Sequence, residues 1–310
     1  MDELITLWER PIADKKYMIA GWRQWADAGA VSSGLPQYLI ERTQARKIGE
    51  LLDGGFYLFQ MPGTHHLLRP EIKFAEGYRQ SITQRKNEIL YAGEDESGLF
   101  LFLGEEPQVN VERYAEAFLD AVEELGVSRV VALGGVYGPM PYDKDREISC
   151  VYSLPYLKDE LTAYAVKFSD YEGGSTIGTY LVDRADPRGI EFIDLYAYVP
   201  AYDFSQLSAR LQGLRIENDY KAWYDLMQRL KHMFGLALDL SDLNERSRQL
   251  VAFMNTKIDE LERRAPQAGV RAYVEGLAHA FTELPFVPLD DVWDRELGDI
   301  FKDMDDSEPD

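Results

Sequence analysis

Cysteine is almost missing. Cys150 is the only one in 310 residues, so no internal disulfide can form and a small stapled scaffold is excluded. Histidine is scarce too, with four. His65 and His66 are adjacent, and an extended chain would send them to opposite faces. No third ligand stands at metal spacing, so neither a metal nor a cofactor is expected. Basic residues are in deficit, 33 against 54 acids, a net charge of −21. So acidic a chain repels phosphate backbones, and neither nucleic acid nor an anionic membrane is expected as a partner. Long apolar runs are also lacking: none reaches the ~18 residues of a membrane-spanning helix. The chain opens Met1-Asp2-Glu3, acidic where a secretory leader carries base; a cytoplasmic location is expected. Neither phosphate-loop pattern, G-x-x-x-x-G-K-[ST] nor G-x-G-x-x-G, occurs.

What the chain does have is hydrophobic content, 45%, enough to exclude global disorder. Short apolar runs at 4–8 and 17–20 read as strands, and Asp27 reads as the cap of a helix reaching about residue 43. Residues 48–52 and 56–59 are strand candidates around Gly54-Gly55, and 71–91 alternates polar and apolar positions as antiparallel strands do. Residues 99–103 form a continuous apolar run that suits a strand covered on both faces. Val111, Tyr114, Ala115, Phe118, Leu119 and Val122 have helical spacing, stopped by Gly126. A strand at 130–133 reads as ending at Gly134-Gly135. Helices are expected at 154–163, 177–185, 204–211 and 217–234, with a strand at 190–199 closed by Pro200. The alternation predicts an α/β protein, a three-layer α/β/α sandwich with a mixed, largely parallel central sheet.

Composition shifts near Asp239. Ser241 reads as the cap of a helix with the stripe Leu243, Leu250, Val251, Met254, Ile258 and Leu261. Pro266 to Gly269 breaks it, and Val270, Tyr273, Val274, Leu277 and Phe281 form a second stripe. The expected organisation is an α/β body at 1–238, a C-terminal helical hairpin at 239–288 and an acidic tail at 289–310. Ten acids fall between Asp290 and Asp310 against two bases; a short helix docked by Trp293 and Phe301 and a frayed end are expected there. The hairpin stripes must meet either the chain's own core or another subunit.

Candidate ligand residues cluster where strands should end. Gly134, Gly135 and Tyr137 follow a buried strand, and glycine-freed amides there could hold an anion. Thr176 precedes a helix within Tyr171-Glu172-Gly173-Gly174-Ser175-Thr176-Ile177; Ile177 replaces the closing glycine of a nucleophile elbow, so N-capping is favoured over hydrolase chemistry. Glu105 and Glu106 read as acid/base candidates or as helix-start acids. Arg69 reads as an anion clamp or a surface pair. Trp22 and Trp25 read as core plugs or interface anchors, with Leu250, Met254, Ile258 and Tyr273 as the hairpin's interface candidates. Cys150, in Ile148-Ser149-Cys150-Val151-Tyr152, reads as a buried, inert thiol. No catalytic constellation emerges.

These motifs stand in a family order. Gly21-Trp22 with Asp27-Ala28-Gly29, Arg69-Pro70, Leu103-Gly104-Glu105-Glu106-Pro107, Leu125-Gly126-Val127, Leu133-Gly134-Gly135, Tyr171-x-Gly173-Gly174-x-Thr176-Ile177 and Val199-Pro200-Ala201-Tyr202 together resemble the proteasome assembly chaperone two family, over roughly residues 1–235. The resemblance implies a phosphorylase/hydrolase-like α/β/α fold and self-association, as a dimer or trimer, with a possible protein client. Loop 139–146 lacks the His-Thr-Arg-Pro string of many relatives, Ala201 stands where they often carry His, and the ending Ser307-Glu308-Pro309-Asp310 lacks a hydrophobic-Tyr-any tripeptide. The expected function is that of a noncatalytic, self-associating chaperone or scaffold. The alternative is an enzyme or sensor that binds a small anionic or nucleoside-like ligand at the strand-end loops.

Overall fold

The computed structural model describes residues 4–286 except 24, 60–68, 84–85, 95 and 208–210. The chain runs β1 (Ile5–Leu7), β2 (Lys15–Arg23), α1 (Gly34–Thr43), β3 (Arg46–Leu51), β4 (Glu71–Ala75), β5 (Tyr78–Thr83), β6 (Asn87–Gly93) and β7 (Ser97–Glu105). It continues α2 (Val111–Leu125), β8 (Arg129–Gly138), β9 (Ile148–Tyr152), α3 (Leu157–Leu161), β10 (Lys167–Phe168), α4 (Ile177–Ala185), β11 (Glu191–Tyr202) and β12 (Leu214–Arg215). It closes with α5 (Tyr220–Phe234), α6 (Ser241–Arg264) and α7 (Val270–Ala280).

One large mixed sheet has the order β1-β3-β6-β7-β2-β8-β11-β9-β10, with β12 on β11. Its centre, β7-β2-β8-β11, is parallel throughout, and antiparallel pairs flank it. Side-chain alternation sends successive residues to two cores. Ile19, Leu101, Val131, Leu133, Ile193 and Leu195 face the layer of α1 and α5. Met18, Phe100, Phe102, Val130, Ala132 and Phe192 face α2 and α4. The predicted three-layer architecture is therefore present.

The helical hairpin is α6 and α7. Leu243, Met254, Ile258, Val270 and Val274 are buried in the same core as Leu226 and Leu230 of α5. The stripes meet the chain's own body.

Five local expectations need correction. Gly134 and Gly135 do not end β8, which continues through Gly138 in register with Pro200 of β11. Pro200 does not close β11, which runs to Tyr202. Pairing with β9 stops at Ala197, so a missing N–H costs the strand nothing there. The helix expected at 154–163 is a single short α3 plus the 3₁₀ turn Thr162–Tyr164, and the one at 204–211 is reduced to the 3₁₀ turn Phe204–Gln206. Residues 56–59 form no strand. Gly126, at φ +65°, does stop α2. The acidic tail, Trp293, Phe301, His65 and His66 lie outside the described residues.

Candidate functional site

Because the four central strands are parallel, their carboxyl ends share one edge of the sheet, where open α/β sheets place ligands. Five segments converge there: the loop after β2, Glu106 after β7, the end of β8, the segment leading into α4, and the β11 residues Tyr196 and Tyr198. All but Glu106 line a cleft of about 530 Å³ whose walls include Trp25, Asp27, Tyr137, Tyr171, Thr176 and Tyr198. A smaller void of about 20 Å³, room for one water, lies beside it, with Trp22, Glu106, Gly134, Asp194 and Tyr196 among its walls.

The two glycines of β8 make this edge possible through close packing. A Cβ on Gly134 would stand 2.4 Å from the Tyr196 ring, and one on Gly135 would stand 2.0 Å from the Ala28 carbonyl oxygen. The Gly135 amide donates to the Ala26 carbonyl at 2.8 Å. That amide is already spent, so the anion cradle expected from glycine-freed amides is not available at Gly135. What the glycines admit instead is the loop after β2, laid directly against β8.

Asp27 organises that loop. It is separated from α1 by the 3₁₀ turn Ala28–Ala30, so it does not cap α1 as predicted. Its carboxylate accepts from the Ser32 and Ser33 amides at 2.9 Å each and from the Ser33 hydroxyl at 2.6 Å. Burial pushes its carboxyl above the ordinary range, against the pull of those Ser33 bonds.

Thr176 caps α4, as its sequence context predicts. Its Oγ1 accepts from the Thr179 amide at 3.1 Å, and the Thr179 hydroxyl accepts from the Thr176 amide at 2.9 Å, a reciprocal capping box. Glu106 reaches the same helix: its Oε1 accepts from the Ile177 amide at 3.0 Å. Glu106 therefore sits at a helix start, though of α4 and not of the α2 that follows it in sequence. Burial raises its carboxyl as well, opposed by the amides of Ile177 and Trp25.

Behind the cap lies a hydroxyl chain. Tyr196 donates to Asp194 Oδ2 at 2.5 Å, and Thr176 Oγ1 lies 2.5 Å from the Tyr196 hydroxyl. Tyr196 has one hydroxyl hydrogen, so the Thr176 hydrogen completes the chain toward it. Asp194 is 1% exposed. Burial pushes its carboxyl up to about 7, opposed by the Tyr196 bond. Burial and the neighbouring Asp194 push the Tyr196 phenol well above its usual range.

Of the sequence-predicted ligand residues, the structure gathers Gly134, Gly135, Tyr137 and Thr176 at this edge. Glu105 turns to Arg23, 3.4 Å away, and is not among the cleft-lining residues. Arg69 stacks over Phe59 at 4.9 Å and lines neither cavity. The interface candidates divide in the same way. Trp22 is 4% exposed, packs among Phe102 and Phe118 and donates from its indole to the Tyr114 hydroxyl at 2.9 Å. Met254 and Ile258 are fully buried against α5. These three are core residues, because their apolar surface is already covered within the chain. Leu250 and Tyr273 are half-buried on the same core, whereas Trp25 is 74% exposed.

Sequence reasoning missed Asp194, Tyr196 and Tyr198. An acid between Ile193 and Leu195 in an apolar strand was the available signal, since such a residue needs a partner. Cys150 is buried, and burial pushes its thiol up to about 12. Among the described residues, no group of three or more His, Cys, Asp or Glu could hold a metal ion, and no helix is long and apolar enough to cross a membrane.

The fold has close counterparts among solved structures. A PAC2 family protein from Streptomyces avermitilis superposes with a TM-score of 0.66 at 24% identity, covering 78% of this chain and 95% of that one. A Mycobacterium tuberculosis proteasome-assembly chaperone homologue gives 0.66 at 19% identity over 77% and 94%. The Pyrococcus furiosus archaeal proteasome activator PbaB gives 0.56 at 19% over 81% and 97%. No curated protein matches the sequence. The PAC2 family model matches residues 22–257, from the tryptophan at the end of β2 to the middle of α6, and on that match the chain belongs to the PAC2 family.

Proposed function

We propose that this chain is a noncatalytic, cytoplasmic PAC2 protein that self-associates and serves as a chaperone or scaffold for a protein client. The observation that carries the reading is the β4–β5 arm. Among the described residues these strands pair only with each other, apart from the large sheet, and residues 71–75 and 78–82 are all exposed. Ile72 pairs with Ile82 across the arm, and Phe74 and Tyr78 complete its apolar set, at 46%, 42%, 61% and 75% exposure. A two-stranded ribbon is at best marginally stable in water by itself. An arm with uncovered Ile, Phe and Tyr gains most by lying against a second surface, and apolar aromatic clusters are what protein interfaces bury. Similarity to a proteasome-assembly chaperone homologue and to an archaeal proteasome activator supports the same reading.

The hairpin α6–α7 is not assigned this task, because its stripes are spent on α5. Thr176 is not assigned a nucleophile's task, because both its hydroxyl and its amide are engaged at the start of α4.

Light scattering at micromolar concentration tests the proposal. The wild-type chain is expected to have the mass of a dimer or trimer. The double variant Ile72→Asp, Phe74→Asp is expected to run as a monomer with an unchanged circular dichroism spectrum, since both side chains are exposed. A strictly monomeric wild type overturns self-association; an oligomer unaffected by the arm variant overturns the arm as its seat.

A further inference from the structure

The cleft at the carboxyl edge of the sheet differs from the anion site expected there. Among the described residues its lining contains no lysine or arginine, and its one carboxylate is Asp27. Glu106 and Asp194 lie in the wall of the adjoining void. Among the described residues two basic groups near it have contacts of their own. Arg215 lies 5.5 Å over the Tyr137 ring, and Arg23 pairs with Glu105 at 3.4 Å. Nothing in the lining offers a counter-charge to phosphate or carboxylate, and a chain of net charge −21 repels both at long range while drawing cations in.

The remaining lining is aromatic. Trp25 and Tyr171 are 74% and 73% exposed, large ring areas left in water at the mouth of a cleft, and Tyr198 and Tyr196 stand behind them on β11. Tyr171 is held in place by its own loop. A Cβ on Gly173 would fall 2.1 Å from the Tyr171 hydroxyl oxygen, so the phenol lies directly over a glycine that only an absent side chain permits. Ring faces carry partial negative charge and attract cations within about 6 Å. Arg215 on Tyr137 is an internal instance of that contact at this same rim. About 530 Å³ is also within the usual range for small-molecule sites.

We propose that this cleft binds a small organic ammonium ion, its cationic head against the faces of Trp25, Tyr171 and Tyr198 and its field completed by Asp27. Ser149, Thr176 and Thr179 supply hydroxyls for a polar end of the ligand. The site is independent of the β4–β5 arm.

Calorimetric titration of the full chain with choline, with its uncharged isostere 3,3-dimethylbutanol, and with adenosine monophosphate tests the assignment. Choline is expected to bind at one site per chain, the isostere about tenfold or more weakly, and the nucleotide not at all. Trp25→Ala and Tyr171→Ala are each expected to weaken choline about fivefold or more without lowering the melting temperature, because both rings are mostly exposed. Gly173→Ala provides an independent check: it displaces the Tyr171 ring while keeping it, and should weaken choline with the fold intact. Absence of choline binding, equal binding of choline and its isostere, binding of the nucleotide in place of choline, or ring variants that bind as well as wild type would each overturn the proposal.

Discussion

Two of the carboxylates buried in this fold, Asp219 and Asp194, are treated in opposite ways. Asp219, at the start of α5, is fully enclosed with Arg146. Arg146 gives Nε to Asp219 Oδ2 at 2.8 Å and Nη2 to Oδ1 at 3.2 Å. Its Nη1 reaches the carbonyls of Pro141, Tyr142 and Lys144. Asp219 also accepts from the amides of Lys221 and Ala222, capping α5. Burial disfavours the Arg146 charge, but Asp219, with help from Asp225 and Tyr202, outweighs it and holds the guanidinium above its usual range. Asp194, on the other face of the sheet, has a single hydroxyl as its partner among the described residues. A buried charge persists where donors and counter-charge surround it; where one phenol is all there is, taking up a proton is easier than holding a charge.

The largest expected effect breaks the paired site. Arg146→Ala strands Asp219 as an uncompensated buried charge and should cost about 3–5 kcal/mol, read as a lowered urea midpoint with unchanged slope. A loss below about 1 kcal/mol would mean that water reaches Asp219 and the two sites do not differ as described.

The second sharpens the other half. The Asp194 carboxyl moves from 3.8 to about 7 on burial. Below pH 4 both folded and unfolded chains hold its proton. Between roughly pH 4 and 7 the unfolded chain releases it while the folded chain retains it, so folding stability falls as pH rises, by on the order of 4 kcal/mol in total. Asp194→Asn cannot ionise and escapes this loss. Its stability relative to wild type should climb from pH 4 to pH 8 in paired denaturation curves; a flat difference would mean that Asp194 does not hold its proton through that range.

The smallest is Thr176→Val. It removes the hydroxyl that caps α4 and the donor to Tyr196, and should cost about 1 kcal/mol. Hydrogen exchange should locate the loss in the first turn of α4, and equal protection of that turn in both proteins would argue against the capping role.

The layered fold was legible because its signals are local and periodic. Residues 177–185 have both a capping threonine and a helical stripe, and the observed helix has those bounds. The misreadings share one cause. Gly134-Gly135 looks like a turn because glycine frees the backbone, but here it removes two side chains that would collide with Tyr196 and with Ala28 from a loop more than a hundred residues away in sequence. Pro200 looks like a stop, yet it falls just where β11 has lost one neighbour. Both are set by long-range register, which a linear pattern does not carry. The same limit applied to the site: Thr176 was visible as a cap, but Asp194 and Tyr196 became meaningful only once β11 was laid beneath α4. Trp22 and Trp25 are three residues apart and alike in sequence context, and what separates them is tertiary: Trp22 is the last but one residue of β2, packed against Phe102 and Phe118 and bonded to Tyr114, whereas Trp25 lies in the loop beyond.

The sheet's order also bears on the chain's birth. β2 is central, and Tyr17 needs Leu99 on one side and Arg129 on the other. A ribosome adding about 5–20 residues per second leaves this apolar strand without either neighbour for on the order of ten seconds. The nascent β2 is thus an apolar segment awaiting partners not yet made, the second of which is complete only when residue 138 has emerged.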